Sequence, residues 1–263
     1  MTLIKTYLIV IKSLLFYLFD SMALLKAPST QLNKLELVLL IRQDAIGDFL
    51  MWLDTAKEYR KLYPPEKYKI VLAGNKIWCS LAEELPYWDE VIAVDVIKFK
   101  TFSRYRRNLL WQIRNLKADV AIQPTFSREF YNGDSLVRAS KAFRKISSVG
   151  DMGNRNWLKK IIADSWHTEL IPASKEPLTE LERNAEFFSG FQSKQYLPSY
   201  PKMEVSGRVL SIHDSSDQNN INPKYFFKKS PYVSEQRIVI TRERWGHRLI
   251  FEPWDRWVNE VVA

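Results

Sequence analysis

The stretch LELVLLIRQDAIGD, residues 35–48, decides the fold of this chain. Its apolar run Leu37–Ile41 is followed by a short polar turn that ends in Gly47 and Asp48. A buried strand, a polar turn and an immediate helix are how α/β proteins build ligand sites, because the helix presents unpaired backbone N–H groups at the carboxyl end of the strand. A carboxylate placed there can accept a proton from a substrate hydroxyl, which makes Asp48 the candidate catalytic residue.

The same alternation continues along the chain and predicts one α/β domain over residues 35–195. Apolar strand-like runs alternate with helical stretches, the pattern of βαβ units with a parallel sheet. We therefore expect a doubly wound, Rossmann-like domain. The predicted strands are Leu35–Ile41, Lys69–Ala73 (stopped by Gly74), Glu90–Val94, Asp119–Gln123 and Lys145–Val149, and the predicted helices are Phe49–Tyr63, Lys76–Leu85, Thr101–Leu116, Gly133–Phe143 and Thr179–Phe191.

Composition and charge limit the classes of partner. Of 263 residues, 46% are apolar and 26% are charged, so wholesale disorder is not expected. The net charge of +9 favours anionic partners such as phosphorylated sugars, nucleotides or acidic lipid. No nucleic acid partner is expected, because the sequence has no zinc-finger spacing, RNP-type motif or arginine-rich tail. The single cysteine, Cys79, excludes an intrachain disulfide, and the scattered histidines have no metal-ligand spacing, so no metal site is predicted.

Residues 1–27 are predicted to form an amphipathic helix, joined to the domain by a linker at residues 26–30. The helix is strongly apolar, but charged residues interrupt it, which argues against a membrane span. Its narrow polar stripe consists of Lys5, Thr6, Lys12, Ser13 and Asp20. The pattern favours a helix in the membrane interface, with the lysines towards anionic head groups. Two alternatives stay open: a signal peptide, since Ser21-Met22-Ala23 weakly resembles a cleavage site, and a helix that packs on its own domain.

The pattern changes after residue 195. Residues 214–222 are polar and loop-like, Ile238–Thr241 could form one short strand, and no second series of βα alternations follows. Residues 196–263 are too few for another doubly wound domain. We therefore expect a remnant or altered second domain there.

Two polar segments are expected to meet at the carboxyl edge of the sheet. One follows the first strand, and the other follows the fourth. Their candidate site residues are Asp48 as the catalytic residue and Gly47, Arg42, Ser127 and Arg128 as substrate-binding residues. Gly47 allows a ligand to approach the backbone closely.

Each candidate also has a structural alternative. Asp44 or Asp48 could cap the helix that follows, as acidic residues do at this place. Arg42 could pair with one of these carboxylates or contact an anionic substrate, and the sequence does not separate the two. Arg128 could be a solvated loop residue.

The turn at residues 42–48 resembles that of glycosyltransferase family 9, the heptosyltransferases of lipopolysaccharide core assembly. That family opens with a strand, then an arginine or lysine, and a turn ending in Gly-Asp, which Arg42-x-Asp44-Ala45-Ile46-Gly47-Asp48 matches. Further matches follow in order within residues 35–195: Arg60-x-x-Tyr63-Pro64, Tyr68–Ala73, Ala118–Ile122 and Glu182-Arg183-Asn184.

The resemblance implies a GT-B architecture, with two Rossmann-like domains facing a cleft, and inverting, metal-independent sugar transfer without a cofactor. It implies that the amino-terminal domain holds the acceptor and that Asp48 is the general base. The implied partners are a nucleotide-sugar donor carrying a heptose-like sugar and a phosphorylated glycolipid acceptor of the lipopolysaccharide-core type. The implied location is cytoplasmic, peripheral at the inner face of the cytoplasmic membrane.

The chain departs from this family after Met203. The family binds its donor through a glycine-rich turn and a later acidic site in the second domain, and neither is recognisable here. Residues 230–233 resemble the start of the expected strand, but Ser234-Glu235-Gln236-Arg237 replaces the glycine-containing turn. We therefore expect a GT-B-type chain with a truncated second domain, which need not retain transfer activity. The alternative function is a non-catalytic, membrane-associated module that binds a glycolipid or a partner protein.

Overall fold

The computed structural model describes residues 2–25 and 35–200 and, beyond these, the strand segments 202–205, 208–211, 236–243 and 246–253. In chain order the helices are α1 (Thr2–Leu24), α2 (Ile46–Leu62), α3 (Cys79–Glu83), α4 (Val96–Phe99), α5 (Arg104–Asn115), α6 (Gly133–Ser140), α7 (Trp157–Asp164) and α8 (Glu180–Gln192). The strands are β1 (Glu36–Arg42), β2 (Tyr68–Asn75), β3 (Glu90–Val94), β4 (Val120–Gln123), β5 (Arg144–Ser148), β6 (Glu169–Ile171), β7 (Lys202–Val205), β8 (Arg208–Ser211), β9 (Gln236–Glu243) and β10 (Gly246–Pro253).

Strands β1 to β6 form one parallel sheet in the order β3-β2-β1-β4-β5-β6. Strand β1 lies in the middle, where Leu39 pairs with Val71 on one side and Ala121 on the other. Its alternate residues point to opposite faces, so Val38 and Leu40 join one buried apolar cluster while Leu37, Leu39 and Ile41 join the other. The predicted doubly wound α/β domain is confirmed.

Three elements of this domain, α4, α7 and β6, were not predicted from the sequence. Strand β6 has only three residues and pairs with β5 at the edge of the sheet, which is too short for a periodic pattern to emerge. Strand β2 continues through Gly74, where the prediction ended it, because Gly74 pairs with Ala93 of β3. A Cβ at Gly74 would approach the Trp78 ring to 2.5 Å, so this glycine leaves room for that ring.

Helix α1 packs on the domain through two residues of its polar stripe. Ser13 and Asp20 are buried. The Asp20 carboxylate accepts hydrogen bonds from Arg106 Nε at 2.7 Å and from Arg106 Nη2 at 2.5 Å, and Ser13 Oγ lies 3.0 Å from the Tyr131 hydroxyl. The expectation that the stripe faces lipid head groups is therefore wrong for Ser13 and Asp20, because a buried carboxylate needs a cation beside it and Arg106 supplies one. The alternative that the helix packs on its own domain is confirmed.

No helix in the described ranges has both the length and the apolar character needed to cross a bilayer. Beyond the domain, β7 pairs with β8 and β9 pairs with β10, each as a two-stranded antiparallel sheet. The strand expected at Ile238–Thr241 falls within β9. The predicted linker at 26–30, the polar segment 214–222 and the segment 230–233 lie outside the described residues.

Candidate functional site

A polar cleft lies at the carboxyl edge of the sheet, beside the β1–β4 pair. This is the point at which the strand order reverses, and open α/β sheets bind ligands in the crevice that forms there. The cleft has a volume of about 420 Å³, within the usual size of a small-molecule site. Its lining includes Gln43, Asp44, Ala45 and Asp48 after β1, Gln123 and Thr125–Ser127 after β4, Asn132 and Gly133 at the start of α6, and Lys100, Glu129, Asn154 and Glu180.

Asp48 lines the cleft from the first turn of α2. It is the third residue of the helix, where the partial positive charge of the helix amino terminus stabilises a carboxylate. Ala45 occupies the N-cap position, so the alternative in which Asp44 or Asp48 caps the helix is wrong. Asp44 lines the cleft and accepts a hydrogen bond from Thr125 Oγ1 at 3.0 Å. The turns after β1 and β4 are thus joined side chain to side chain.

Arg42 lies behind the cleft and organises its acidic residues. Its side chain is 1% exposed, and its Nε lies 2.7 Å from Asp44 Oδ2. Its Nη2 donates to Glu180 Oε1 at 2.5 Å, and its Nη1 donates to Asn184 Oδ1 at 2.8 Å. Of the two roles that the sequence left open for Arg42, the structure shows pairing with carboxylates. Because Glu180 and Asn184 belong to α8, this guanidinium joins the first strand of the domain to its last helix.

Glu180 is a cleft residue that the sequence did not reveal. Its side chain lies at the start of α8, in the same acidic group as Asp44 and Asp48. Burial raises the pKa of Glu180 to about 7, and the negative charges of Asp44 and Asp48 add to this rise while Arg42 opposes it. A carboxyl group that titrates near neutral pH and faces a cleft is a common feature of functional sites. The sequence signal was the Glu182-Arg183-Asn184 motif two residues later, which pointed to α8 but not to this residue.

Gln43 lines the cleft, and its side-chain amide makes no hydrogen bond in the described ranges. Within the part of the chain that the structure describes, neither its Nε2 nor its Oε1 makes a hydrogen bond, although both atoms are buried. Burying an unpaired amide costs free energy, so such a group usually marks the place of a polar ligand or a water molecule. Gln43 can donate and accept at once, as a ligand with hydroxyl groups requires.

Among the residues predicted to bind substrate, Ser127 lines the cleft, whereas Gly47 lies beside it as the second residue of α2. Ser127 Oγ donates to Asp151 Oδ2 at 3.0 Å, and Asn154 Nδ2 donates to the Ser127 carbonyl at 2.8 Å. The loop that carries Asp151 and Asn154 starts at Gly150, whose φ of 60° and contact with the Phe126 carbonyl exclude a side chain. This loop holds the turn after β4 in place.

Arg128, also predicted to bind substrate, is instead a fully buried residue. Its guanidinium forms an ion pair with Asp164, and its Nε lies 3.6 Å from Asp134 Oδ1. Burial and the positive charge of Arg128 lower the pKa of the adjacent His167 to about 3, so this imidazole stays neutral inside the cluster. Arg128 is buried because Asp134 of α6 and Asp164 of α7 enclose its guanidinium, and neither residue adjoins Arg128 in sequence.

The described ranges hold no group of three or more histidine, cysteine, aspartate or glutamate side chains placed to bind a metal ion. Cys79 is buried, and burial raises the pKa of its thiol to about 12. The polar lining of the cleft consists mainly of carboxylates, amides and hydroxyls together with Lys100, and Arg42 is buried behind it.

Comparisons with known proteins support this view of the fold. No family model matches the sequence, and no curated protein matches it. The structure is similar to the crystal structure of the glycosyl transferase family 9 protein from Veillonella parvula DSM 2008, with a TM-score of 0.50 and 14% identity. The matched part of this chain shares its fold with the matched part of that protein. The match covers 64% of this chain and 44% of that chain, so the chain spans less than half the length of this relative.

Two Escherichia coli structures are also similar. Heptosyltransferase WaaC with ADP matches with a TM-score of 0.45 and 15% identity, over 64% of this chain and 50% of that one. The ADP-heptose lps heptosyltransferase II matches with a TM-score of 0.44 and 15% identity, over 64% of this chain and 46% of that one. The similarity to the Veillonella parvula structure agrees with the fold that the sequence predicted for this domain.

Proposed function

We propose that this chain is a glycosyltransferase of the family 9 type, which transfers a heptose-like sugar from a nucleotide-sugar donor to a glycolipid acceptor of the lipopolysaccharide-core type. The observation that carries the proposal is the position of Asp48 in the cleft, in the first turn of α2 and at the reversal point of the sheet. The turn that holds it is the one through which the sequence resembles the family.

In the proposed reaction, Asp48 accepts the proton of an acceptor hydroxyl while that oxygen bonds to the anomeric carbon of the donor sugar. The bond from this carbon to the nucleoside diphosphate breaks, the electron pair leaves with the diphosphate, and the configuration inverts. A positioned base contributes about 10²–10⁴-fold to such a rate. The proposal includes no cofactor and no metal ion.

The lining of the cleft indicates which part of the acceptor enters it. Carboxylates dominate, since Asp44, Asp48 and Glu180 face the cleft and the rim cation Lys100 pairs with Glu129 at 2.5 Å. Phosphate groups are repelled by such a lining, whereas sugar hydroxyls can donate to carboxylates and to the Gln43 amide. We therefore place the acceptor sugar in the cleft and its phosphates outside it. The donor proposal rests on the sequence resemblance.

The proposed setting is the cytoplasmic side of the inner membrane, where a glycolipid acceptor is anchored. The second candidate function is a non-catalytic membrane-associated module that binds an anionic glycolipid or a partner transferase. The outward apolar face of α1 favours it, because that face suits a membrane whether or not the chain catalyses transfer.

The experiment that separates the two functions measures sugar transfer and glycolipid binding side by side. The expected result is transfer by the wild-type chain, a loss of about 10²-fold or more in Asp48→Asn, and unchanged glycolipid binding in both. Glu66→Gln, an exposed carboxylate changed in the same way, is the matched control and should transfer normally. Glycolipid binding by all three proteins with no transfer by any of them would contradict the transferase proposal and support the binding module.

A further inference from the structure

The outward face of α1 is apolar over most of its length. Tyr7, Leu14, Leu18, Met22 and Leu25 are between 49% and 82% exposed. They recur at spacings of three, four and seven residues, so they form one continuous side of the helix. A contiguous apolar surface of this kind marks an interaction site in a protein that is otherwise water-soluble.

The inward face explains why this surface is left outside. Arg106 ties Asp20 to the domain and also donates to the Phe99 and Tyr131 carbonyls, each at 2.7 Å. The helix is therefore fixed in rotation by a buried ion pair, and it cannot turn its leucines inward without separating the two charges. Because Asp20 is the single carboxylate in residues 7–25, the outward face of α1 carries no acidic side chain there.

Neighbouring elements extend the apolar surface. Phe102, about half exposed, stacks on Phe16 of α1 with 3.9 Å between ring centroids. Trp157 and Ile161 of α7 are 64% and 61% exposed, and their spacing of four residues puts them on one side of that helix. Helix α7 is linked to α1 through the Tyr131 ring, which lies 4.5 Å from Lys159 Nζ.

Cations flank this surface. Lys12 Nζ lies 5.6 Å from the centroid of the same Tyr131 ring. Arg138 lies 3.9 Å from the Tyr17 ring of α1. Exposed lysine and arginine around an apolar helix face complement anionic lipid head groups.

We propose that the outward face of α1, with Phe102 and the exposed side of α7, docks on the surface of an anionic phospholipid bilayer. The apolar side chains enter the boundary between head groups and acyl chains, and the flanking cations contact the head-group phosphates. The helix lies flat, because Ser13 and Asp20 hold its opposite side against the domain.

This docking places the cleft beside the membrane. Lys100 and Asn154 line the cleft, and the surface residues Phe102 and Trp157 follow them by two and three positions. A lipid-anchored acceptor could keep its acyl chains in the bilayer while its sugar enters the cleft. This last step rests on the proposed function, whereas the docking does not.

The test measures binding of the full chain to phosphatidylcholine vesicles with and without phosphatidylglycerol, by co-sedimentation. We expect binding that requires phosphatidylglycerol and weakens with salt. The double variant Leu14→Gln/Leu18→Gln should bind these vesicles at least about tenfold more weakly than the wild type. The matched control Leu62→Gln/Ile77→Gln changes exposed apolar residues on α2 and before α3 and should bind normally. Comparing the blue shift of tryptophan fluorescence in wild type and Trp157→Phe tests the contribution of α7.

Two results would overturn the inference. The first is that the wild-type chain does not bind vesicles, or that the two double variants weaken binding equally. The second is a dimer in solution that only Leu14→Gln/Leu18→Gln dissociates, since the face would then bind a second copy. Neither assay uses a sugar donor or turnover. Failure of the docking therefore leaves the transferase proposal standing, and an inactive chain that binds vesicles leaves the docking standing.

Discussion

The ion pair between Asp20 and Arg106 makes a strong prediction about stability. The two side chains are 4% and 0% exposed, and two nitrogen–oxygen contacts of 2.7 and 2.5 Å join them. Replacing Asp20 by alanine leaves a guanidinium buried without its counter-charge, a change that typically costs about 3–5 kcal/mol. Asp20→Asn keeps one acceptor oxygen, but it loses the charge and turns an NH2 donor towards an Arg106 N–H, so it should also cost about 1–3 kcal/mol or more.

The assay is urea unfolding combined with amide hydrogen exchange. The loss should appear as a lower free energy of unfolding or as faster exchange of the α1 amides, because a detached α1 returns Arg106 to water. The control is Glu90→Ala, which removes an exposed pair with Lys69, both side chains being about 40% exposed. Such pairs contribute about 0.2–1 kcal/mol.

A double change tests the cause. Asp20→Leu/Arg106→Met removes both charges and should recover part of the loss, because an apolar pair of similar volume is tolerated in a core. Recovery stays partial, since the Phe99 and Tyr131 carbonyls lose their donor. If Asp20→Ala costs no more than Glu90→Ala and α1 exchanges at the wild-type rate, the reasoning from burial is refuted.

Three further predictions concern the cleft. Glu180 keeps a proton up to about pH 7 in the folded state and releases it near 4.5 when unfolded, so its contribution to stability should fall by at most about 3 kcal/mol as pH rises between these values. Glu180→Gln should flatten this part of the pH profile measured by urea unfolding, and identical slopes would count against the raised pKa. In Gly133→Ala the new Cβ would lie 2.2 Å from Gln123 Nε2, so we expect the free energy of unfolding to fall by about 1–3 kcal/mol. The control Gly153→Ala, on the surface, should cost about 0.5 kcal/mol or less. Equal shifts of the melting temperature in the two variants would contradict this prediction. Gln43→Leu removes an amide that has no partner in the described structure, so stability should hold or rise while acceptor affinity falls about tenfold or more in calorimetric titration, and a destabilised variant would show that the amide has a structural partner.

The central part of the fold could be predicted because its signals are local. Strands β1 to β4 each contain an apolar run bounded by polar residues or a helix breaker, and the turn at residues 42–48 joins strand to helix within a few positions. Periodicity needs several residues to emerge, which is why β6, with three residues, and α4, with four, were missed.

The environment of the charged residues could not be predicted, because it depends on contacts between distant parts of the chain. The sequence alone indicates a surface position for Asp20, because its partner Arg106 lies 86 positions later in the chain. Arg128 reads as a loop arginine until Asp134 and Asp164 enclose it. In the same way, Glu180 enters the cleft only because α8 packs against α2 and pairs with Arg42, contacts that a single sequence does not reveal.

The contacts of the Arg42 guanidinium also determine when the cleft can be completed during synthesis of the chain. Two of its partners, Glu180 and Asn184, are translated about 140 residues after it. While the ribosome is still synthesising the middle of the domain, Arg42 has no acceptor from α8, and the acidic side of the cleft is incomplete. The acidic side of the cleft can therefore be completed only after α8 has left the exit tunnel.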